Sequence, residues 1–428
     1  MNRFMMFFVW MTVCFLMFPA AIDAHADLYS STPANGAVLS SAPSEVELLF
    51  STVIDEQVYK MDVLNDKGES IAIGKPSISL SRDKLTVSVL HSANGLVTVP
   101  YSVISKDGHP IEGSISFTIE LSEQTVAPME VADKPASIDN NQPQMISGST
   151  NEAIQKPEDM NEKHDTSEQS PSVLSSFIKS AYLLSLLLLA GTLLWNFKGF
   201  KIPFTAHMQL IHLDLLVLFT WSQARNFTRV FDEIPWQDLF LRTEVGQFWT
   251  AALVITTLGL YIINRNRFID LAWAGAILLT KSLNSHAIAA ATPSVTVGLN
   301  FIHLLFAALW LAGLFYTLIL WKKGLAHTFI PTFSKMALLS IIVLTVSGSI
   351  YAWLLTPELS ALWTTEWGYW MIAKLVVVIA VFFTGALIRK HMKKNESLKE
   401  IRYLYFDASL ATTILIIVGV LTQLSPAQ

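Results

Sequence analysis

In the segment Ser105-Lys106-Asp107-Gly108-His109-Pro110 a carboxylate and an imidazole stand two residues apart. On an extended backbone such residues project to the same face, so Asp107 and His109 can share one metal ion, with Gly108 leaving the space between them clear. The same residues also fit a simple Asp-Gly turn that happens to precede a histidine. A third donor, His25, lies where an apolar leader ends. If the chain is cut before it, the new α-amine and the ring Nδ1 chelate one ion. A second imidazole and a carboxylate then complete a tetragonal nitrogen and oxygen set, which favours Cu(II). The sole cysteine is Cys14, inside the leader, so the mature chain has no disulfide and no thiolate ligand.

The leader has one early arginine, an apolar run from Phe4 to Phe18, the helix breaker Pro19 and small residues up to Ala24. This pattern predicts a secretory signal peptide over residues 1–24. Cleavage after Ala24 exposes His25; cleavage after Ala26 fits the small-residue rule slightly better and removes it.

Ionisable residues also fall inside apolar runs, where they are costly and mark functional paths. His286 and His303 are expected near the outer ends of two successive spans, roughly 6–8 Å below the surface at about 1.5 Å per residue, facing each other across an outer mouth. Trp310, seven residues after His303, shares its helix face. His212 and Asp407 are expected on the inner side. His212 and Asp214 are two apart on a helix, so at most one lines a shared path. Lys281 and Lys374 would repel a metal ion and suit structural pairing or gating.

Three regions must position these residues. Residues 25–120 hold alternating runs such as Val46-Glu47-Leu48-Leu49-Phe50 and Leu85-Thr86-Val87-Ser88-Val89, separated by Asn-Gly and Asp-Gly turns. Short strands at this spacing predict a β-sandwich. Pro100 suggests an edge strand or a bulge. Residues 121–173 are acidic, rich in Pro, Ser and Asn, and lack apolar periodicity, so a disordered linker is expected. Residues 174–428 alternate long apolar runs with short loops. Eight spans are expected, at about 174–196, 207–224, 245–264, 268–289, 298–320, 333–355, 369–388 and 403–424.

Charge sets the expected orientation. Every second loop is basic, through Lys198 and Lys201, Arg265 and Arg267, Lys322 and Lys323, then the run from Arg389 to Arg402. These loops are cytoplasmic by the positive-inside rule, which puts the β domain and the C-terminus outside a plasma membrane. The composition agrees: of 428 residues 52% are hydrophobic and 15% charged, too apolar for an ordinary soluble protein. A net charge of −5 spread over unlike regions gives no reason to expect nucleic acid.

The residues also resemble known families. The stretches "HADLYSSTPANGAVLSSAP", "VELLFS" and "SVISKDGHPIEGSISFTI" are similar to the CopC copper-binding domain across residues 25–120. The resemblance implies a mature chain that begins at His25 and binds Cu(II) through His25, Asp107 and His109 on a cupredoxin-like or Ig-like sandwich. Thr52 stands where the family commonly has an acid, and Tyr101 where it has tryptophan. Met61 is the only methionine in residues 25–120, so a methionine-rich Cu(I) site is absent.

"NSHAIAAA", "NFIHLLFAALWLAGLFYTL", "FSKMALLSIIVLTVSGSIYAWLL", "LWTTEWGYWMIAKLVVVIAV" and "FDASLATTIL" resemble CopD, in the family's order, over about residues 270–425. Asn300, Trp367 and Asp407 replace the family's usual aspartate, tyrosine and glutamate. The fused arrangement is similar to copper importers of the YcnJ type.

The function this implies is copper acquisition: Cu(II) capture outside the cell, then transfer to a permease for import. The expected partners are the copper ion, the lipid bilayer and a further extracytoplasmic copper chaperone. No catalytic residues are expected, and the sequence has no phosphate-binding G-x-x-x-x-G-K-[ST] motif to supply ATP energy. Two alternatives from other classes are a membrane haem or quinone redox protein, with paired histidines as haem ligands, and a copper-tolerance or sensing protein.

Overall fold

The computed structural model describes residues 28–90, 94–106, 108, 110–120, 173–201, 204–231, 234–288, 290, 292–322, 326–355, 360–392, 397–422 and 424. The expected signal peptide, most of the expected linker, and His25, Asp107 and His109 lie outside them.

Among the described residues, eight strands form the N-terminal domain: β1 Leu28–Thr32, β2 Val38–Leu39, β3 Glu45–Phe50, β4 Ile54–Met61, β5 Ala72–Ile78, β6 Lys84–Val89, β7 Gly95–Ser105 and β8 Pro110–Ile119. They build two four-stranded sheets, ordered β1-β3-β6-β5 and β2-β8-β7-β4. The pairings are antiparallel except β2 with β8. Period-two alternation explains the core: Val46, Leu48 and Phe50 of β3 and Leu85, Val87 and Val89 of β6 meet Val97, Val99, Tyr101 and Val103 of β7. Phe50 and Tyr101 touch edge to face across the two sheets, 5.7 Å between ring centres.

Pro100 corrects the edge-strand expectation, since β7 is flanked by both β8 and β4. The Pro100 carbonyl accepts from the Asp62 N–H at 3.1 Å, one residue past the end of β4 at Met61. The missing proline N–H therefore falls between the end of β4 and the isolated Leu64–Thr98 bridge beyond it.

The C-terminal half is helical: α1 Val173–Phe197, α2 Thr205–Val230, α3 Trp236–Leu241, α4 Glu244–Ile262, α5 Arg267–Leu283, α6 Pro293–Lys322, α7 Ala326–Leu355, α8 Ala361–Thr364, α9 Glu366–Met392 and α10 Ser397–Leu421. Six of these, α1, α4, α6, α7, α9 and α10, are long and apolar enough to cross a membrane among the described residues. The other two expected spans also fold as helices but miss that standard. α2 carries His207, Gln209, His212, Asp214 and Gln223, and α5 has only 17 residues.

The fourth expected span also ends early. α5 stops at Leu283, where Asn284 N–H bonds to the Thr280 carbonyl at 3.0 Å, and a separate 3₁₀ turn runs from His286 to Ile288. His286 therefore sits in a turn above the helix, not within it.

Local signals set the helix starts. The Thr243 hydroxyl accepts from the Gly246 N–H at 3.0 Å and caps α4, and Asn266 caps α5 through the Phe268 N–H at 2.8 Å. α1 packs against α6, with Trp195 Nε1–H donating to the Leu309 carbonyl at 2.9 Å.

Phe117 is 1% exposed within the β core. Phe117→Ala should cost about 3–5 kcal/mol by opening a cavity, read as a lower denaturation midpoint for the β domain of the purified chain. Leu80→Ser, at a fully exposed position, should leave that midpoint unchanged.

Candidate metal centre

The β7–β8 connection lies at one end of the sandwich, and the register shows which end. Ile54 pairs with Ser105 at the end of β7, and Leu28 at the start of β1 pairs with Phe50. Residues 50–54 therefore run from opposite the start of β1 to opposite the end of β7. Four residues of extended chain span at most about 14 Å. Leu28 lies three residues after His25, and Ser105 two before Asp107. Chain positions flanking the three expected ligands are thus held at the same end of the domain. The Lys106 N–H bonds to the Val53 carbonyl at 2.8 Å and the Gly108 N–H to the Ser105 carbonyl at 2.8 Å, which tightens the turn.

This end of the β domain rests on the helices. Gly108 has φ +87°, and a Cβ there would stand 2.6 Å from Val245 Cγ2 at the start of α4, so both backbone and space require glycine. The Asp55 carboxylate accepts from the Glu244 N–H at 3.1 Å. Burial raises the pKa of Asp55 above the usual carboxylate value. Arg82 donates to Glu244 Oε1 at 3.1 Å and lies 3.9 Å from Glu56.

In the helical half, His303 Nδ1 is 3.1 Å from Ser347 Oγ on α7, and its ring packs over Gly348, where a Cβ would come within 3.2 Å of Cε1. One turn before His303, Asn300 Nδ2 donates to Ser285 Oγ at 2.9 Å, beside His286. The segments bearing His286 and His303 are therefore joined. Lys281 Nζ donates to the Asn284 carbonyl at 3.0 Å, a structural pairing.

His212 and Asp407 have separate surroundings. His212 is fully buried against α1, with Nδ1 2.9 Å from Ser185 Oγ and its ring stacked 5.7 Å from Tyr182, while Asp214 is exposed. Asp407, 5% exposed, lines a cavity of about 30 Å³ together with Trp310, Thr317, Ser334 and Arg389, room for a water molecule. Its Oδ1 is buried without a hydrogen-bond partner among the described residues. Also among the described residues, no group of three or more His, Cys, Asp or Glu could hold a metal ion.

Comparison with known proteins matches both halves. The CopC domain model covers residues 28–120, and the Copper resistance protein D model covers residues 327–422. One chain carries a CopC domain and a CopD domain. Copper transport protein CutJ of Bacillus subtilis (strain 168) is 23% identical over 97% of this chain and 77% of its own length. Copper resistance protein C of Pseudomonas syringae pv. tomato is 29% identical over 26% of this chain and 94% of its own. The crystal structure of CopC from Methylosinus trichosporium OB3b is 24% identical, covers 23% of this chain and 98% of that one, and has a TM-score of 0.22.

The CopC domain thus coincides with β1–β8, and the matched CopD stretch with α7–α10. The match is narrower than the 270–425 read from sequence. Asp407, Ser347 and Gly348 fall inside the CopD stretch; His212, His286 and His303 precede it.

Sequence reasoning missed Glu244, Asp55 and Arg82, which meet only in three dimensions, and the Ser347-Gly348 pair that seats His303. A Ser-Gly pair within an apolar run was the available signal for the second.

Gly348→Ala should gain no stability, because the new Cβ presses on the His303 ring. Gly298→Ala on α6, whose Cβ meets open space, should stabilise by roughly 0.5–1 kcal/mol. Thermal midpoints of the two purified variants check this; equal gains would mean that His303 is not packed against Gly348.

Proposed function

We propose that this protein acquires copper. Its CopC domain captures Cu(II) outside the cell and passes it to the helical half, which carries it inward across the plasma membrane. The observation that supports this most is the joining, in one chain, of a CopC domain to a CopD domain and to helices long and apolar enough to cross a membrane. A relative named as a copper transport protein aligns along nearly the whole chain.

In this reading α2 and α5 complete a set of eight spans, and the β domain and C-terminus face outward. A signal peptide is cut after Ala24. The α-amine and imidazole of His25, the Asp107 carboxylate and the His109 imidazole bind Cu(II), and the shared end of the domain described above favours that set. Nitrogen donors must shed protons to bind, so affinity falls on acidification.

His286 and His303 receive the ion at the outer side. Along α6, His303 is followed two turns later by Trp310, which lines the Asp407 cavity, so one helix face leads from the outer histidine to the inner carboxylate. Thr317 and Ser334 supply further oxygens there. His212 lies off this line, among α1 and α2 side chains, and serves it as a packed support.

Two measurements test the reading. The purified protein should bind one Cu(II) at the β domain with a tetragonal nitrogen and oxygen EPR signal, and a variant with one residue added before His25 should lose it. An unchanged signal would sink the N-terminal chelate. His286→Ala, His303→Ala and the double variant should lose copper accumulation about equally, because one remaining imidazole makes a poor metal site, while the EPR signal stays. Partial, additive losses would mean two separate structural roles.

A further inference from the structure

The contact between the β domain and the helices has the composition of a built seat. Its apolar floor is one buried cluster: Val58 of β4 and Ile104 of β7 belong to the same packed core as Leu239 of α3 and Val245 of α4. Ile104 is fully shielded although it sits near the end of β7. Gly108, between the expected ligands in sequence, touches Val245.

Around this floor lies a polar latch made by one residue. Glu244 offers its backbone N–H to Asp55 and its carboxylate to Arg82. Arg82 has φ +60°, a conformation that is unfavourable for a residue with a side chain, in the turn from which its guanidinium meets Glu244. An exposed ion pair alone would count for little. Here it adjoins a helix N-terminus whose first N–H is taken by a second carboxylate and a core that excludes water.

We propose that the corner of α3 and α4 is a dock for this chain's own copper-binding domain, and that the latch of Glu244 with Asp55 and Arg82 holds the domain there to pass its ion on. The inference rests on the copper-transfer reading and deepens it. The receptor acts seated, with its metal-binding end against the membrane half. It does not search from the end of a free tether. The basic-loop alternation puts Glu244 on the outer side, the side of His286 and His303. The dock thus delivers copper at the face where those histidines receive it, and the linker need only permit seating and release.

The test uses the full chain in lipid nanodiscs, with Cys14 replaced by serine and spin labels on cysteines at Leu80 and Leu241. Both positions are exposed and lie within three residues of the Arg82 and Glu244 pair. The expected result is a narrow, short interlabel distance. Arg82→Glu and Glu244→Arg should each broaden and lengthen it, since like charges then face each other, and should cut copper accumulation roughly fivefold at equal membrane levels. The double reversal should restore both.

A broad distribution in the unaltered chain, or a narrow one that either single reversal leaves unchanged, would overturn the dock. Restored distance without restored accumulation would overturn its role in transfer. The distance measurement needs no copper. Failure of the transfer reading would instead appear as no accumulation by the unaltered chain, with the distance still narrow.

Discussion

A single apolar cluster joins the two halves of the molecule. Val58 and Ile104 of the β domain are buried in the same core as Leu239, Val245, Phe227 and Phe231 of the helices. Their removal from water is favourable in proportion to the area covered, and it has no directional demand of its own. Direction comes from the groups around it: the Glu244 N–H and carboxylate, Asp55 and Arg82. Because Gly108 lies in this contact, its place at the β7–β8 connection follows from the packing of α3 and α4. The Thr243 cap and its bond to the Leu239 carbonyl at 2.6 Å, which fix that corner, therefore bear on a site in another domain.

Within the helical half, the governing constraint is that polar groups away from water need partners. His212 has Ser185, His303 has Ser347, Lys281 has the Asn284 carbonyl, and Gln209 donates to the Gly259 carbonyl at 3.0 Å. These pairs tie α1 to α2, α6 to α7 and α2 to α4. Asp407 Oδ1 and the far ring nitrogen of His212, Nε2, are contrasts: both are buried with no hydrogen-bond partner among the described residues, which is costly for stability alone.

Much of this was legible in the sequence. Alternation in Val46 to Phe50 and Leu85 to Val89 marked strands that form the core, and the apolar runs of α1, α6, α7, α9 and α10 marked helices. The His25 and Asp107-Gly108-His109 segments stand out by residue type and spacing, and His25, Asp107 and His109 lie outside the described residues. The fourth expected span overruns its helix because hydropathy continues through Ala287 and Ile288, while α5 ends at Leu283 and the Ser285 hydroxyl donates to the Ser282 carbonyl. α2 was drawn too short: it runs on through Arg225, whose guanidinium lies 5.0 Å over the Trp221 ring and so keeps a charge at the helix end. The seat between the domains left no local trace, since Arg82 and Glu244 are 162 residues apart. No periodicity or spacing rule reaches that far.

The central claim is that this chain alone moves copper through a bilayer. Its most direct test is purified protein reconstituted into sealed vesicles that contain a copper-responsive dye, with copper added outside. The account predicts a rise of luminal copper that depends on the protein and is lost in the His303→Ala variant. Vesicles that hold copper at the CopC domain but never in the lumen would contradict it.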